Sequence, residues 1–163
     1  MYKRQTPYGT EAMHVLRAER GFIIVGQETD GTVSPIDLGM DWIVSKKKKD
    51  FIGKRSLSKK AYLATDRQKV VGVVPLDKKT SIPEGSYIVK DPKAKLPNPK
   101  LGHVSASCWS VEYDNPFSLA IIKDGKNMIG QKLYALSPLR NKSIPVEIVS
   151  SHYVDPKGER VRS

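Results

Sequence analysis

Arg17 and Glu19 lie at the end of a predicted helix and are the first residues whose types suggest chemistry. An arginine offers a rigid, permanently charged fork that suits a carboxylate or the polar edge of a ring. The same position also suits an internal ion pair, with Glu19 or Glu28 as the acid. Because no paired base accompanies Glu19, this residue is a candidate for orienting a ligand rather than for general acid–base catalysis.

The highest concentration of charge is the lysine run Lys46–Lys49. Residues 46–60 contain eight lysines or arginines and one aspartate, so they hold +7 of the net charge of +11. Such a run is compatible with a solvated turn, with capture of a polyanionic ligand, or with non-specific contact to nucleic-acid phosphates. No aromatic residue interleaves with the lysines as a stacking platform requires, and no helix-turn-helix, zinc or RNA-binding signature accompanies them.

Other chemistries find little support in the residue types. The single cysteine, Cys108, excludes an internal disulfide framework, and the three histidines share no metal-ligand spacing with it. We therefore expect no metal site. No motif surrounds a Ser, His and Asp set, and the glycines form no phosphate loop. Trp42 and Trp109 are predicted to pack in a core or between subdomains.

Length and composition indicate one domain, or one domain with a piece of another. The chain has 163 residues, of which 39% are hydrophobic and 28% are charged, as in ordinary globular proteins. No apolar run approaches the ~20 residues of a membrane helix, and the basic amino end lacks the apolar core of a secretory signal. We expect a cytoplasmic location.

The elements that position these residues differ between the two parts of the chain. In the first part, the pattern predicts a helix over Thr10–Glu19 that ends at Gly21. A short apolar strand, buried on both faces, is predicted for Phe22–Val25. Asp50 is predicted to cap a basic helix that runs from about Gly53 to Tyr62.

After residue 66, short runs rich in Val, Ile and Tyr alternate with Gly, Pro, Asn and Asp. This texture predicts six strands and a small antiparallel barrel or sandwich. The predicted strands are Lys69–Leu76, Ser86–Lys90, His103–Val111, Ser118–Lys123, Gln131–Leu136 and Ile144–Val149. The expected fold class is α+β, mostly β, with a short helix-strand segment before a six-stranded barrel.

Residues 16–57, LRAERGFIIVGQETDGTVSPIDLGMDWIVSKKKKDFIGKRSL, form an ordered motif set. Its key positions are Leu16, Arg17, Glu19, Gly21, Gly26, Pro35, Gly39, Trp42, Lys46–Lys49, Asp50, Phe51 and Gly53. The set resembles the later part of the folate-dependent aminomethyltransferases, the family of the glycine cleavage T-protein. The stretch YGTEAMHVLRAERGFI is similar to the branch of that family formed by the alpha subunits of heterotetrameric sarcosine oxidases.

A second segment, GHVSASCWSVEYDNPFSLAII, is similar to the family's barrel but departs from its pattern at Ser107 and Asn115. The resemblance implies a ring of three subdomains, of which the last is a six-stranded barrel. Residues 1–66 would then be the remnant of a folate-binding subdomain, and residues 67–163 would be the carboxy-terminal barrel.

The resemblance also implies a set of ligand-binding residues. Tetrahydrofolate is the expected cofactor. The arginine that matches Arg17 lies at the family's folate pocket, Glu19 belongs to the same motif, and Lys46 is placed to receive the glutamate tail. Tyr153 and Arg160 are candidates to close over the folate opening, although a frayed basic tail is an alternative for this end.

The implied function is support of oxidative demethylation of sarcosine, with transfer of the one-carbon unit to tetrahydrofolate. Flavin and NAD are expected on other parts of the complex. The family's upstream acidic residues are absent here, so we expect a fragment that needs other subunits or a missing amino-terminal part. Such a fragment is expected to be inactive alone. A non-catalytic folate-binding or assembly module and a basic nucleic-acid-binding protein remain alternatives.

Overall fold

The computed structural model describes residues 6–93, 97 and 99–162, apart from the side chain at position 161. Four α-helices are present over this part of the chain: α1 (Thr10–Glu19), α2 (Lys54–Leu57), α3 (Lys60–Leu63) and α4 (Glu159–Arg162). A search of the described helices finds none long and apolar enough to cross a membrane. Residues 94–96 and 98, between the second and third predicted strands, lie outside the described residues.

The second part of the chain forms a closed antiparallel barrel. Its strands are β1 (Gln68–Pro75), β2 (Tyr87–Val89), β3 (Lys100–Ser110), β4 (Asn115–Lys123), β5 (Lys132–Ser137) and β6 (Lys142–Val149). The strand order is β1-β4-β3-β2-β5-β6, and pairing of β6 with β1 closes the barrel. The prediction of six strands and an antiparallel barrel is confirmed, with strand ends within three residues of those expected.

Two apolar clusters stabilise the barrel. Val73, Ile122 and Ile148 belong to the larger cluster, which draws on the strands all around the barrel. The second cluster includes Phe117 and Leu119 of β4 together with Ala18 of α1. Because β4 contributes to both clusters, it is buried along almost its whole length.

Helix α1 begins and ends as the sequence predicts, and it crosses the strands β3 and β4. Gly21, with φ of +71°, follows the helix in the left-handed conformation that glycine adopts at little cost. A Cβ atom at this position would lie 2.6 Å from the carbonyl oxygen of Ser151. Glycine is therefore required both by the backbone conformation and by the close approach of the chain after β6.

Two predictions for the first part of the chain are wrong, and one alternative for a third is excluded. Phe22–Val25 forms an irregular connection rather than a buried strand, and Val25 is 86% exposed. The helix predicted from Gly53 to Tyr62 is divided into α2 and α3, and Gly53, not Asp50, is the residue that precedes α2. Trp42 is 74% exposed and does not enter the core of this chain, so of its two predicted roles packing between subdomains stays a prediction.

Candidate functional site

Arg17 is buried beneath the connection that follows α1, with 8% of its surface exposed. Its Nη1 donates to Oε1 of Glu28 at 2.9 Å and to the carbonyl oxygen of Phe22 at 3.3 Å. Its Nη2 donates to Oε1 of Gln27 at 2.9 Å. The sequence left Glu19 and Glu28 open as ion-pair partners, and the structure pairs Arg17 with Glu28.

Glu28 is the acid at the centre of this cluster, and it is almost fully buried. Besides Arg17, it accepts hydrogen bonds from the backbone N–H of Ile24 at 2.7 Å and from the hydroxyl of Ser105 at 2.8 Å. A buried carboxylate is tolerated when charge and hydrogen bonds compensate for the lost water. These bonds also explain why residues 22–25 are not a strand, since their backbone groups bond locally to Arg17 and Glu28.

Ser105 reaches this cluster because β3 is irregular at that point. Val104 pairs with Ala120 and Ala106 pairs with Leu119, so Ser105 is the extra residue of a β-bulge. A bulge redirects a side chain relative to its regular strand neighbours. Gln27 donates from Nε2 to the carbonyl oxygen of Ser105 at 2.6 Å, so side chain and backbone of this one residue hold the loop.

A surface cavity of roughly 250 Å³ lies beside this cluster, between α1 and β3. Its lining comprises Glu11, His14, Arg17, Ala18, Gln27, Glu84, Ala106 and Ser107. This volume is below the range of about 300–1,000 Å³ for small-molecule sites. The lining mixes donors and acceptors and offers no unpaired cation, because Arg17 is bound to Glu28. Such a wall suits the polar edge of a ring better than a second carboxylate.

Glu19 and Tyr153 lie together, and neither residue lines this cavity. The carboxylate of Glu19 accepts from the hydroxyl of Ser110 at 2.6 Å, and its backbone oxygen accepts from the N–H of Tyr153 at 3.0 Å. The Tyr153 ring stacks on Phe117 with 4.3 Å between ring centroids, and its hydroxyl donates to Asn115 at 3.1 Å. Both residues join the end of α1 to the barrel.

Lys46 and Arg160 are exposed on different parts of the surface. Arg160 lies in α4, and its Nη2 pairs with Oε1 of Glu112 at 2.5 Å. This hydrogen bond lowers the pKa of Glu112 from its ordinary value. Lys46 lies in the lysine run, which has no regular secondary structure. The run is held by the ammonium group of Lys54, which donates to the backbone carbonyl oxygens of Lys48 and Lys49.

A second polar cluster, centred on Asp37, was not predicted. Its buried carboxylate accepts from Nε of Arg67 at 3.0 Å, from Nζ of Lys69 at 2.9 Å and from Ser34 at 2.9 Å. Burial acts to raise the pKa of Asp37, but hydrogen bonds from Arg67, Ser34 and Lys69 outweigh it and hold this pKa well below its ordinary value. The cluster ties the loop before Trp42 to β1.

Cys108 lies on β3 and is half-buried. Burial, with a smaller contribution from the charge of Glu19, raises the pKa of its thiol to about 11. A thiol with so high a pKa is almost wholly protonated near neutral pH and is a poor nucleophile. Among the described residues, no group of three or more His, Cys, Asp or Glu is arranged to hold a metal ion.

Comparisons with known proteins agree with the fold and with the predicted resemblance. The family model described as the GCVT N-terminal domain matches residues 3–48. The crystal structure of glycine cleavage system aminomethyltransferase T from Bartonella henselae superposes with a TM-score of 0.68 at 22% identity. The superposition covers 89% of this chain and 38% of that protein, and it shows that the two have the same fold over this part. The chain is therefore similar to the glycine cleavage T-protein and to aminomethyltransferases over the matched regions.

The chain is also similar to alpha subunits of sarcosine oxidase. It is 46% identical over 157 residues to the subunit from Corynebacterium sp. (strain P-1), and 38% identical over 156 residues to that from Rhizobium meliloti (strain 1021). Each match covers 95% of this chain but 16% of the relative. An aminomethyltransferase from Clostridium botulinum (strain Okra / Type B1) is 34% identical over 76% of this chain and 32% of its own length.

Proposed function

We propose that this chain is the carboxy-terminal, folate-binding portion of a sarcosine oxidase alpha subunit. In this proposal residues 1–66 belong to the folate-binding subdomain and residues 67–163 form its carboxy-terminal barrel. The observation that carries the proposal is the similarity of 38–46% to sarcosine oxidase alpha subunits, which extends over 95% of the chain. The similarity therefore includes both the polar cluster around Arg17 and the barrel on which it rests.

The proposed folate site is the cavity between α1 and β3. Arg17 is nearly buried, and its Nε has no hydrogen-bond partner among the described residues. Gln27 holds the Arg17 fork in place, and Glu11, His14 and Glu84 provide further polar atoms along the lining. These residues fit the edge of a pterin ring, which presents both donors and acceptors. This cavity is too small to enclose a folate, so we expect another polypeptide to form the opposite wall of the site.

Tetrahydrofolate would supply the acceptor for the one-carbon unit released from sarcosine. The contribution of this chain would be to bind and orient the folate and to exclude water from one side of it, which is catalysis by positioning. Glu19 and Tyr153 would act indirectly, because they fix the end of α1 against the barrel and so hold Arg17 in place. Arg160, held by its pair with Glu112, would cover the edge of the folate opening.

Lys46 is proposed to receive the glutamate tail of folate. Its ammonium group is exposed, and Lys47–Lys49 follow it directly, so the local potential favours a chain of carboxylates. Flavin, NAD and the residues that direct the amine would belong to other parts of the enzyme. The partners would be the remaining part of the alpha subunit and the other subunits, and the chain alone would not oxidise sarcosine.

Calorimetric titration with tetrahydropteroyl-monoglutamate and tetrahydropteroyl-triglutamate tests this proposal. We expect Arg17→Lys to weaken binding of both ligands by about tenfold, because the ammonium keeps the charge beside Glu28 but loses the fork. Lys46→Ala should weaken only the triglutamate. Lys142→Ala removes an exposed lysine from the start of β6 and serves as the matched control.

Circular dichroism of each variant confirms that the fold is retained before binding is compared. If neither folate binds to the folded wild-type chain, the proposed folate site is rejected. If both folates bind, the chain should still show no oxidation of sarcosine by itself. Addition of this chain to an alpha subunit lacking the matched region should restore folate-dependent turnover if its role is enzymatic, and should leave turnover unchanged if it is only a binding or assembly module.

A further inference from the structure

A group of large apolar side chains lies exposed around Trp42, in the part of the molecule between α1 and α2. Phe22 is 59% exposed, Trp42 is 74% exposed and Ile43 is 51% exposed. Isolated exposed apolar residues are common on proteins, but neighbouring ones that form a patch mark interaction sites. We call Phe22, Met40, Trp42, Ile43 and Phe51 the Trp42 surface.

The Trp42 surface is concave on both sides of the short helical turn Asp41–Ile43. On one side, Phe22, Met40 and Trp42 line a cavity of roughly 240 Å³. On the other side, Ile43 and Phe51 line an open cavity of roughly 360 Å³. Neither cavity shares a lining residue with the cavity beside Arg17, so this surface is separate from the proposed site of the pterin ring.

The charge around the Trp42 surface is strongly positive. The lysine run and the residues after it give residues 46–60 a net charge of +7, and Lys48 itself lines the larger cavity. A second copy of this chain carries the same charge and would be repelled at this surface. The complementary partner is therefore acidic and carries apolar side chains able to enter the two cavities.

Nucleic acid and anionic membranes share the negative charge but fit the shape less well. A nucleic-acid surface would use the lysines and leave two apolar cavities unfilled. Helices that lie on membranes need an extended amphipathic face, whereas α2 and α3 each have four residues. Concave apolar pockets inside a polar rim are typical of sites that receive anchor residues of another polypeptide.

We propose that the Trp42 surface binds an acidic polypeptide segment, which places apolar side chains on either side of the Asp41–Ile43 turn. The lysines of residues 46–60 set the orientation and the association rate, and the cavities provide the contacts that slow dissociation. The apolar cavities of this proposal have no lining residue in common with the cavity beside Arg17, and the two proposals share only the lysine run.

Synthetic peptides of 20 residues serve as the probes. The first carries Leu at helical spacing and Glu elsewhere, the second carries Leu and Lys, and the third has the Leu residues of the first replaced by Glu. A Trp109→Phe background leaves Trp42 as the single tryptophan, so its fluorescence reports binding directly. The expected result is a saturable blue shift with the Leu/Glu peptide and none with the Leu/Lys peptide.

Ile43→Ser should weaken binding of the Leu/Glu peptide by at least tenfold, while Leu139→Ser should leave it unchanged. Leu139 is a matched control because it is fully exposed on the turn between β5 and β6. Absence of binding by the Leu/Glu peptide overturns the proposal, as does equal binding by the all-Glu or Leu/Lys peptide. The proposal is also overturned if phosphatidylserine vesicles or duplex DNA bind more tightly than the Leu/Glu peptide and this binding depends on Ile43. Self-association of the chain in sedimentation would overturn it as well, because the surface would then bind a second copy.

Discussion

The barrel and the amino-terminal segment, residues 6–66, are stabilised by different interactions. Of the 21 buried apolar residues in the described part of the chain, Ala18 is the one contributed by the segment, and the others lie between Val70 and Val154. The segment is held instead by buried polar contacts, centred on Glu28 and Asp37. The barrel thus has a core of its own, whereas the segment depends on the barrel for its conformation.

This difference has consequences for the surface. The segment exposes large apolar side chains such as Phe22, Trp42 and Ile52, which in an independent domain would form a core. A polar attachment fixes direction and register through specific donors and acceptors, but it buries little apolar area. The segment is therefore placed accurately on the barrel while its apolar residues remain available to other polypeptide.

The largest effect is expected from Phe117→Ala, because Phe117 is fully buried where the segment and the barrel meet. Truncation of a buried phenylalanine costs about 3–5 kcal/mol. We expect both regions to lose stability together, measured by urea unfolding followed by far-ultraviolet circular dichroism. A matched Leu139→Ala variant should be unchanged. Stability of Phe117→Ala within 1 kcal/mol of wild type, on the order of experimental scatter, would show that Phe117 does not support the two regions.

A smaller and more local effect is expected from Glu28→Ala. Removal of this carboxylate leaves Arg17 buried without its charge partner, at a cost of about 3 kcal/mol. Because the barrel keeps its own core, hydrogen exchange should increase in α1 and the following loop and remain slow in β1 and β6. Glu159→Ala, at an exposed glutamate, is the control. Uniform loss of protection would show that the two regions unfold as one unit.

Acid should loosen the attachment at Asp37 before it unfolds the barrel. The pKa of this carboxyl is lower in the folded chain than its ordinary value of 3.8, so its contribution to stability is present above that value and is lost as pH falls below it. We expect hydrogen exchange around Asp37 to increase between about pH 4 and pH 2. In Asp37→Asn this pH dependence should disappear, because the segment is then attached to the barrel more weakly at every pH. An unchanged acid response in Asp37→Asn would exclude this residue as the sensitive group.

The smallest effect is expected at the exposed pair between Lys123 of β4 and Asp66, just before β1. The two charged atoms are 3.1 Å apart, but both side chains are more than half exposed. Such pairs contribute less than about 1 kcal/mol and are screened by salt. Lys123→Ala should therefore shift the urea midpoint only slightly, and 0.5 M salt, on the order needed for strong screening, should remove the difference.

Prediction from sequence succeeded where local patterns decide the structure. Helix α1 has apolar spacing and a terminal glycine, and the barrel strands have β-branched residues bounded by turn residues. Phe22–Val25 has the same apolar character but failed as a strand. There the buried Arg17–Glu28 pair binds the backbone and overrides strand preference, an effect that depends on tertiary contacts.

The candidate site was predictable only in part. The helix and the arginine motif identified Arg17 and offered Glu28 as one of two partners. Ser105 lies 77 residues after Glu28 in the chain and reaches it through a β-bulge. The pairing of Asp37 with Arg67 and Lys69 likewise joins a loop to a strand about thirty residues away. Neither contact leaves a spacing signal in the sequence.

Closure of the barrel affects how this chain can associate with other molecules. Each of the six strands has a paired neighbour on both sides, so the barrel has no edge strand among the described residues. Association through the barrel by strand addition is thereby disfavoured, and a partner must recognise side chains. The specificity of such contacts can be changed by single surface substitutions. The choice of partner can therefore change step by step while the fold is kept.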